Sequence, residues 1–201
     1  MRFIGDVHGK WDRYKRILKN SPCPTIQVGD MGVGFRDWHG EMRSNAPYDL
    51  MKEGKHRFIR GNHDNPGVCR NHSQWIADGH IENGMMFIGG AFSIDWQYRL
   101  EGMSWWRDEE LSITELNELL GKYEKEKPEV MVTHDCPETI AALMSPQYHC
   151  EFPSRTRQAL NGMLEIHRPK VWLFGHWHRS FDGTVNGTRF LCLNELEVMD
   201  V

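Results

Sequence analysis

The chain of 201 residues lacks several features that would place it in a specialised class. No apolar run approaches the length of a membrane span, and the N-terminus enters a strand and a motif at once. We therefore expect neither a membrane partner nor a signal peptide. Repeats, linkers and runs of Lys or Arg are also missing, and the net charge of -4 offers no general attraction for nucleic acid. These absences predict one cytoplasmic domain over residues 1–201.

Cysteine usage argues against a disulfide-stabilised secreted fold. The number of cysteines, five, is odd, and no C-x-x-C pair occurs. We therefore interpret the cysteines as reduced thiols that fill small apolar positions. They are Cys23, Cys69, Cys136, Cys150 and Cys192.

Short apolar runs alternate with amphipathic segments, and this alternation predicts an α/β fold. Strands are expected at Arg2–Ile4, Thr25–Val28, His56–Ile59, Met85–Ile88, Val130–Val132 and Val171–Phe174. Helices are expected at Lys10–Lys19, Ser112–Glu126 and Ser154–Ile166. Ser112 and Glu115 have the spacing of a capping box at a helix start. Asn186-Gly187, between two short β-prone segments, predicts a C-terminal β-hairpin.

Polar motifs stand directly after five of these apolar runs. Each motif contains Asp, Asn or His beside a turn residue or at the end of the run. Because ligand sites form at the carboxyl ends of strands in α/β sheets, we expect the motifs to converge. Carboxylate, amide and imidazole groups are donors that divalent metals take in proteins. The motifs are G-D-V-H-G at 5–9, G-D at 29–30, G-N-H-D at 61–64, T-H-D at 133–135 and G-H-W-H at 175–178.

These motifs, in this order, resemble those of the calcineurin-like metallophosphoesterases, and the resemblance spans nearly the whole chain. The short bacterial and phage-encoded members are similar to it. The resemblance implies an α/β sandwich of two mixed β-sheets flanked by helices. It also implies a pair of divalent metal ions, with Mn²⁺ as the first choice and Fe, Zn, Co or Ni as alternatives.

The resemblance also implies a role for each motif residue. One metal ion would take Asp6, His8, Asp30 and His178. The other would take Asp30, Asn62, His134 and His176, so that Asp30 bridges the two. His63 corresponds to the family's catalytic histidine, and Asp64 to the carboxylate that orients it. The implied reaction is hydrolysis of a phosphomonoester or phosphodiester by a hydroxide that bridges the two ions, while His63 protonates the leaving oxygen or stabilises the transition state.

Two arginines are candidates for holding the substrate phosphate. Arg60 precedes the G-N-H-D motif, as in the protein serine/threonine phosphatase branch, where a guanidinium could bind a phosphate oxygen. A salt bridge that holds the motif loop explains Arg60 equally well. That branch continues its G-D motif to a second Asp-Arg-Gly, which is missing here. Arg36, in the Gly-rich segment after Asp30, is the candidate replacement.

The predicted function is that of a metal-dependent phosphatase or phosphodiesterase acting on small or nucleotide phosphates. The missing Asp-Arg-Gly disfavours a protein serine/threonine phosphatase, and the lack of a basic track disfavours a nuclease. The complete ligand set disfavours a non-catalytic binding scaffold. Trp96, Trp105 and Trp106 are expected to pack in a surface loop, the alternative being a lip that stacks a nucleobase. The natural substrate and the oligomeric state stay open.

Overall fold

The computed structural model describes residues 1–36, 46–146 and 152–201, which form two β-sheets covered by helices. The strands, numbered in chain order, are β1 Arg2–Ile4, β2 Thr25–Gln27, β3 Arg57–Phe58, β4 Ile81–Glu82, β5 Met85–Ile88, β6 Val130–Thr133, β7 Val171–Phe174, β8 Phe181–Val185, β9 Thr188–Cys192 and β10 Val198–Asp200. The helices are α1 Trp11–Lys19, α2 Tyr48–Glu53, α3 Pro66–Cys69, α4 Ile113–Glu126, α5 Glu138–Met144 and α6 Arg155–Ile166.

Both sheets mix parallel and antiparallel strands. The first has the order β10-β1-β2-β3, with β10 antiparallel and the other three parallel. The second has the order β4-β5-β6-β7-β9-β8, with antiparallel strands at its two edges. Asn186 and Gly187 join β8 to β9 with positive φ angles of 50° and 89°, as a tight hairpin turn requires. The predictions of two mixed sheets and of the C-terminal hairpin are therefore confirmed.

The core lies in three layers of apolar contact. Between the sheets, Phe3 and Ile26 of the first sheet pack with Phe87, Val132 and Leu173 of the second. Alternate residues of the second sheet face outward and pack on α4, α5 and α6, while α1 and α2 cover the first sheet. Each large apolar side chain buried in this way contributes about 1.5–3 kcal/mol. Central strands buried on both faces explain why the sequence shows continuous apolar runs instead of alternation.

Helix α4 begins with the capping box that the sequence predicts. The Glu115 backbone N–H donates to Ser112 Oγ at 3.2 Å, and the Ser112 backbone N–H donates to the Glu115 carboxylate at 2.8 Å. Two N–H groups that lack helical partners are satisfied in this way. Leu116 and Tyr123 form the buried side of the helix.

The elements missed by sequence reasoning are short. They are α2, α3, α5, β4 and β10, and β3 is also two residues shorter than expected. A strand of two or three residues carries no alternation that a sequence pattern could reveal. β10, for example, exists because it pairs with β1, from Arg2 opposite Asp200 to Ile4 opposite Val198.

Cys23, Cys69, Cys136 and Cys192 are free thiols, and Cys150 lies outside the described residues. Burial raises the pKa of the Cys69 and Cys136 thiols, which keeps them in the unreactive protonated form. Within residues 1–36, 46–146 and 152–201, no helix has the length and apolar character that crossing a membrane needs.

Candidate metal centre

Seven predicted ligands come together at one edge of the fold. They follow the carboxyl ends of β1 (Asp6, His8), β2 (Asp30), β3 (Asn62), β6 (His134) and β7 (His176, His178). Within each sheet these strands run parallel, so their carboxyl ends lie at the same edge. The convergence expected from the sequence thus follows from the strand directions.

The first group of donor atoms comes from Asp6, His8, Asp30 and His178, all within 4.8 Å of one another. His8 Nε2 lies 2.8 Å from His178 Nε2, and His178 Nε2 lies 3.4 Å from Asp6 Oδ2. The Asp6 carboxylate is fully buried, and its pKa falls to about 2 because contacts with His178 and His8 outweigh the burial that would raise it. Two imidazoles that face each other beside buried carboxylates suit a shared cation.

The second group contains Asp30, His134 and His176, again within 4.8 Å. His134 Nδ1 lies 2.8 Å from the Val28 carbonyl oxygen, so the proton is on Nδ1 and the lone pair is on Nε2. That lone pair faces Asn62 Oδ1 at 3.1 Å and Asp30 Oδ1 at 3.3 Å. Because three acceptors face one another, a proton or a cation has to lie among them. Without a cation, the pKa of His134 rises to about 10, since Asp30 outweighs the burial that lowers it.

Asp30 belongs to both groups, and the donor chemistry fits a pair of divalent cations. The donors are carboxylate oxygens, one amide oxygen and imidazole nitrogens, a set that accepts several transition metals. Burial raises the pKa of Asp30, but the nearby His134 and His63 reverse this and hold it well below its usual range. Asp30 is therefore a charged, buried acceptor with one oxygen toward each group.

Four of these ligands have a left-handed backbone that side chains rarely adopt. The φ angles are 47° at His8, 58° at Asp30, 68° at His176 and 48° at His178. Such a conformation costs about 1–3 kcal/mol per residue and is found mainly at functional sites. Gly61 is needed for a steric reason, because a Cβ there would lie 2.0 Å from Asp30 Oδ1.

His63 lies beside both groups without belonging to either. Its ring stacks on Phe35 with centroids 5.6 Å apart, and its Nε2 lies 4.0 Å from Asp30 Oδ2. The Arg99 guanidinium approaches Nε2 to 2.9 Å and is held by Asp95 at 2.6 Å. Burial lowers the pKa of His63 to about 4. The positive charge of Arg99 lowers this pKa further, whereas the negative charge of Asp30 raises it.

A cavity of about 400 Å³ opens next to the two groups. Its lining includes five metal-type or catalytic candidates and three further charged side chains: Asp30, Asn62, His63, His176 and His178, with Asp95, Arg99 and Arg157. Arg157 is only 3 % exposed, and its guanidinium lies 6.0 Å from the centre of the Trp177 ring. The cavity thus joins metal-type donors to two cationic side chains.

The sequence profile described as calcineurin-like phosphoesterase matches residues 2–180. The chain belongs to this family. The family resemblance expected from the motifs is therefore confirmed.

Solved structures share the fold of this calcineurin-like phosphoesterase at low sequence identity. A putative 5'-nucleotidase from Staphylococcus aureus is 12% identical, with a TM-score of 0.57 over 96% of this chain and 48% of that one. GAP50, the anchor in the inner membrane complex of Plasmodium, is also 12% identical, with a TM-score of 0.51 over 96% and 71%. The chain thus spans about half the length of the nucleotidase. No curated protein matches it by sequence.

In this family member Asp64 has partners different from the one that the resemblance implies. Its buried carboxylate accepts backbone N–H groups from Gly32 at 2.6 Å, Val33 at 2.7 Å, Gly61 at 2.8 Å and Met31 at 3.2 Å. No hydrogen bond joins it to His63 within the described ranges. The geometry therefore corrects the expected pairing: Asp64 ties the loop after β2 to the loop after β3, and Arg99 is the side chain at the His63 ring.

The two predicted substrate arginines do not line the cavity. Arg60 is 1% exposed, with Nε 2.9 Å from Asp78 Oδ2 and Nη1 donating to the Glu109 carbonyl at 2.7 Å. Of its two interpretations, the salt bridge matches this geometry. Arg36 is exposed, and its backbone N–H donates to the Met103 carbonyl at 2.8 Å.

Two cavity arginines escaped the sequence reasoning. Arg157 and Arg99 both stand in segments without a metal-type motif. The tryptophans near Arg99 were expected to pack in a surface loop or to form a lip that stacks a nucleobase, and they differ in exposure. Trp106 is 7% exposed, whereas Trp96 is 40% exposed and lies 5.5 Å, centroid to centroid, from Trp105. Only the burial of Trp106 corresponds to simple loop packing.

Proposed function

We propose that the chain is a binuclear metal-dependent phosphoesterase that hydrolyses phosphomonoesters or phosphodiesters. The observation that carries this proposal is the sharing of Asp30 by two groups of buried donors beside a cavity. Asp6, His8, Asp30 and His178 would hold one ion, and Asp30, Asn62, His134 and His176 the other. Divalent ions bound there supply an activated water and stabilise charge on the phosphoryl oxygens.

The residues around these ligands are suited to a small anionic substrate. Arg157 and Arg99, the latter partly neutralised by Asp95, bring guanidinium donors to the cavity, and such donors attract a phosphate group in spite of the negative net charge of the chain. His63 stands between the donor groups and Arg99, where its ring can act on the leaving oxygen of a bound ester. A cavity of about 400 Å³ has the size of a site for a nucleotide or a smaller ester.

Hydrolysis by metal-stripped protein with Mn²⁺ restored tests the proposal. The substrates are p-nitrophenyl phosphate, bis-p-nitrophenyl phosphate, a cyclic nucleotide, a phosphopeptide and single-stranded DNA, and Fe, Zn, Co and Ni are compared with Mn²⁺. Asp30→Asn should abolish activity. Asp182→Asn, which changes an exposed carboxylate paired with Arg189, should leave it intact. The ratio of monoester to diester rates then chooses between phosphatase and phosphodiesterase.

The same panel tests the alternatives. Preference for the phosphopeptide would favour a protein serine/threonine phosphatase, and cleavage of DNA with steep salt dependence would favour a nuclease. Inactivity with every metal would favour a non-catalytic binding scaffold. We also propose that residues 1–201 form one domain, which the pairing of β10 with β1 supports. A cytoplasmic location stays a prediction.

A further inference from the structure

A chain of buried hydrogen bonds ends at the amide of Asn62. Asn62 Nδ2 donates to Ser93 Oγ at 2.9 Å, and Ser93 Oγ donates to Glu109 Oε2 at 2.6 Å. The Ser93 backbone N–H donates to Glu109 Oε1 at 2.8 Å. Asn62 and Ser93 are each 2% exposed and Glu109 is 3% exposed, so water does not compete strongly for these groups.

The direction of each hydrogen bond follows from the donors available. An ionised carboxylate only accepts, and it receives both the N–H and the O–H of Ser93. The Ser93 hydroxyl has one proton, which it gives to Glu109, so its oxygen can only accept from Asn62. The NH₂ group of Asn62 must therefore point to Ser93, and its carbonyl oxygen must point to His134 Nε2, 3.1 Å away.

The orientation matters because only one end of an amide binds a cation. The carbonyl oxygen carries lone pairs for a metal, whereas the NH₂ group offers protons. A reversed Asn62 would place those protons among the donors of the second group. The backbone of Glu109 is held in place, because its backbone carbonyl oxygen accepts a hydrogen bond from Arg60 Nη1 at 2.7 Å.

We propose that Glu109 and Ser93 are positioning residues that fix the Asn62 amide with its oxygen toward the second metal ion. The inference rests on the metal centre of the proposed function. It also gives a role to the segment between Ser93 and Glu109, which contains the Trp96, Trp105 and Trp106 cluster. The first and last residues of that segment, Ser93 and Glu109, are hydrogen-bonded to each other beside Asn62.

Glu109→Gln reverses the hydrogen bonds with almost no change of shape. One end of the new amide accepts from the Ser93 N–H, so its NH₂ group faces Ser93 Oγ and turns the hydroxyl proton toward Asn62. The Ser93 proton has then lost its carboxylate acceptor, so either the Asn62 amide rotates to offer its oxygen or that buried proton stays without a partner. Loss of such an outer partner lowers metal affinity by about 10- to 100-fold. We expect that loss for the second Mn²⁺ only.

Glu110→Gln is the matched control. Glu110 is the next residue, is 5% exposed, and accepts from Ser154 Oγ at 2.6 Å and from the Thr156 N–H at 3.0 Å. It shares the chemistry of Glu109 but is not hydrogen-bonded to Asn62. The affinity of both Mn²⁺ ions should be unchanged in this variant.

Combining two substitutions distinguishes a reversed hydrogen bond from a general disruption of the site. In Asn62→Asp alone, a second acceptor faces Ser93 Oγ, and binding of the second Mn²⁺ should weaken. In Asn62→Asp with Glu109→Gln, the Ser93 hydroxyl donates to the new carboxylate, whose other oxygen faces the metal. The double variant keeps the net charge of the wild type. It should recover most of the affinity that each single variant loses.

The measurement is Mn²⁺ binding to metal-stripped protein by calorimetry, with electron paramagnetic resonance to tell coupled Mn²⁺ pairs from single ions. It is made at about pH 8, where Glu109 is ionised, since burial raises its pKa only to about 7. The inference predicts a pair signal for wild type, Glu110→Gln and the double variant, and a single-ion signal for Glu109→Gln. Ser93→Ala, which also removes the acceptor of Asn62, provides a second test if Glu109→Gln does not fold.

Each contrary outcome has a distinct meaning. A Mn²⁺ pair that binds Glu109→Gln as tightly as wild type overturns the inference and leaves the proposed function standing. Weak binding that the double variant fails to recover also overturns it, because the damage is then general. A wild-type protein that binds neither Mn²⁺ nor Fe, Zn, Co or Ni overturns the proposed function, and the inference with it.

Discussion

Asp78→Ala is expected to destabilise the fold far more than removal of any exposed carboxylate. Arg60 is 1% exposed, and its Nε lies 2.9 Å from Asp78 Oδ2, so the change leaves a buried charge without its partner. Breaking a buried pair costs about 3–5 kcal/mol. Asp78 Oδ1 also accepts from the Gly89 N–H at 2.6 Å, and losing that acceptor adds about 1–3 kcal/mol.

The expected total is about 4–6 kcal/mol, because Asp78 is partly exposed and water can replace part of its role. For a chain of this length, 1 kcal/mol corresponds to about 2–4 °C in melting temperature. The variant should therefore melt about 8–24 °C below the wild type. That loss is a large part of the stability of a typical domain, about 5–15 kcal/mol.

Urea and thermal unfolding followed by circular dichroism, with a chelator present, measure this cost without a contribution from metal binding. Asp182→Ala, which removes one partner of an exposed ion pair with Arg189, is the control and should unfold almost as the wild type does. Arg60→Met with Asp78→Ala removes the charge as well as its partner and should recover most of the loss. Equal midpoints for Asp78→Ala and Asp182→Ala would refute the reasoning, and Arg60 would then not be a buried, paired cation.

Three further predictions concern the site and its surroundings. Free Mn²⁺ at about 100 times its dissociation constant should stabilise the fold by about 2.7 kcal/mol per ion; a melting temperature insensitive to EDTA, or an equal shift in Asp30→Asn, would contradict this. Gly61→Ala should weaken Mn²⁺ binding in calorimetry, because its Cβ would lie 2.0 Å from Asp30 Oδ1, while Gly121→Ala, with open space around it in α4, should leave binding unchanged. Burial raises the pKa of Glu109 from 4.5 to about 7 in spite of hydrogen bonds from Ser93, so the folded chain retains a proton that the unfolded chain has released. The free energy of unfolding should then fall by up to about 3 kcal/mol as the pH rises from about 4.5 to about 7. Urea unfolding measured at a series of pH values should show this decrease in the wild type and not in Glu109→Gln. Parallel pH profiles of the two proteins would contradict the prediction.

The sequence contains enough information to predict the convergence of the metal-type residues. Asp6, Asp30 and His134 each follow a short apolar run, and parallel strands bring such positions to one edge. The capping box of α4 and the Asn-Gly hairpin were predictable for a similar reason. In each, two residues a few positions apart determine the local structure, so no distant contact is needed.

Side-chain partners set by tertiary packing were not predictable. Asp64 follows His63 directly, but adjacency in a loop does not tell in which direction a carboxylate points, and this one turns to backbone N–H groups of another loop. Arg157 lies in the first turn of a helix with polar neighbours, yet it is buried, with its guanidinium 6.0 Å from the centre of the Trp177 ring. Arg99 reaches His63 across 36 residues of sequence, a distance over which no local pattern acts.

The left-handed backbone at His8, Asp30, His176 and His178 has a consequence for protein engineering. Glycine relieves this conformation without a steric penalty, so His176→Gly should make the metal-free protein harder to unfold, whereas His8→Gly also removes a partner of the buried Asp6 carboxylate. A search for heat-resistant variants in a chelating buffer would therefore favour the loss of His176. The residues that make this site able to bind cations are among those at which the fold gives up part of its own stability.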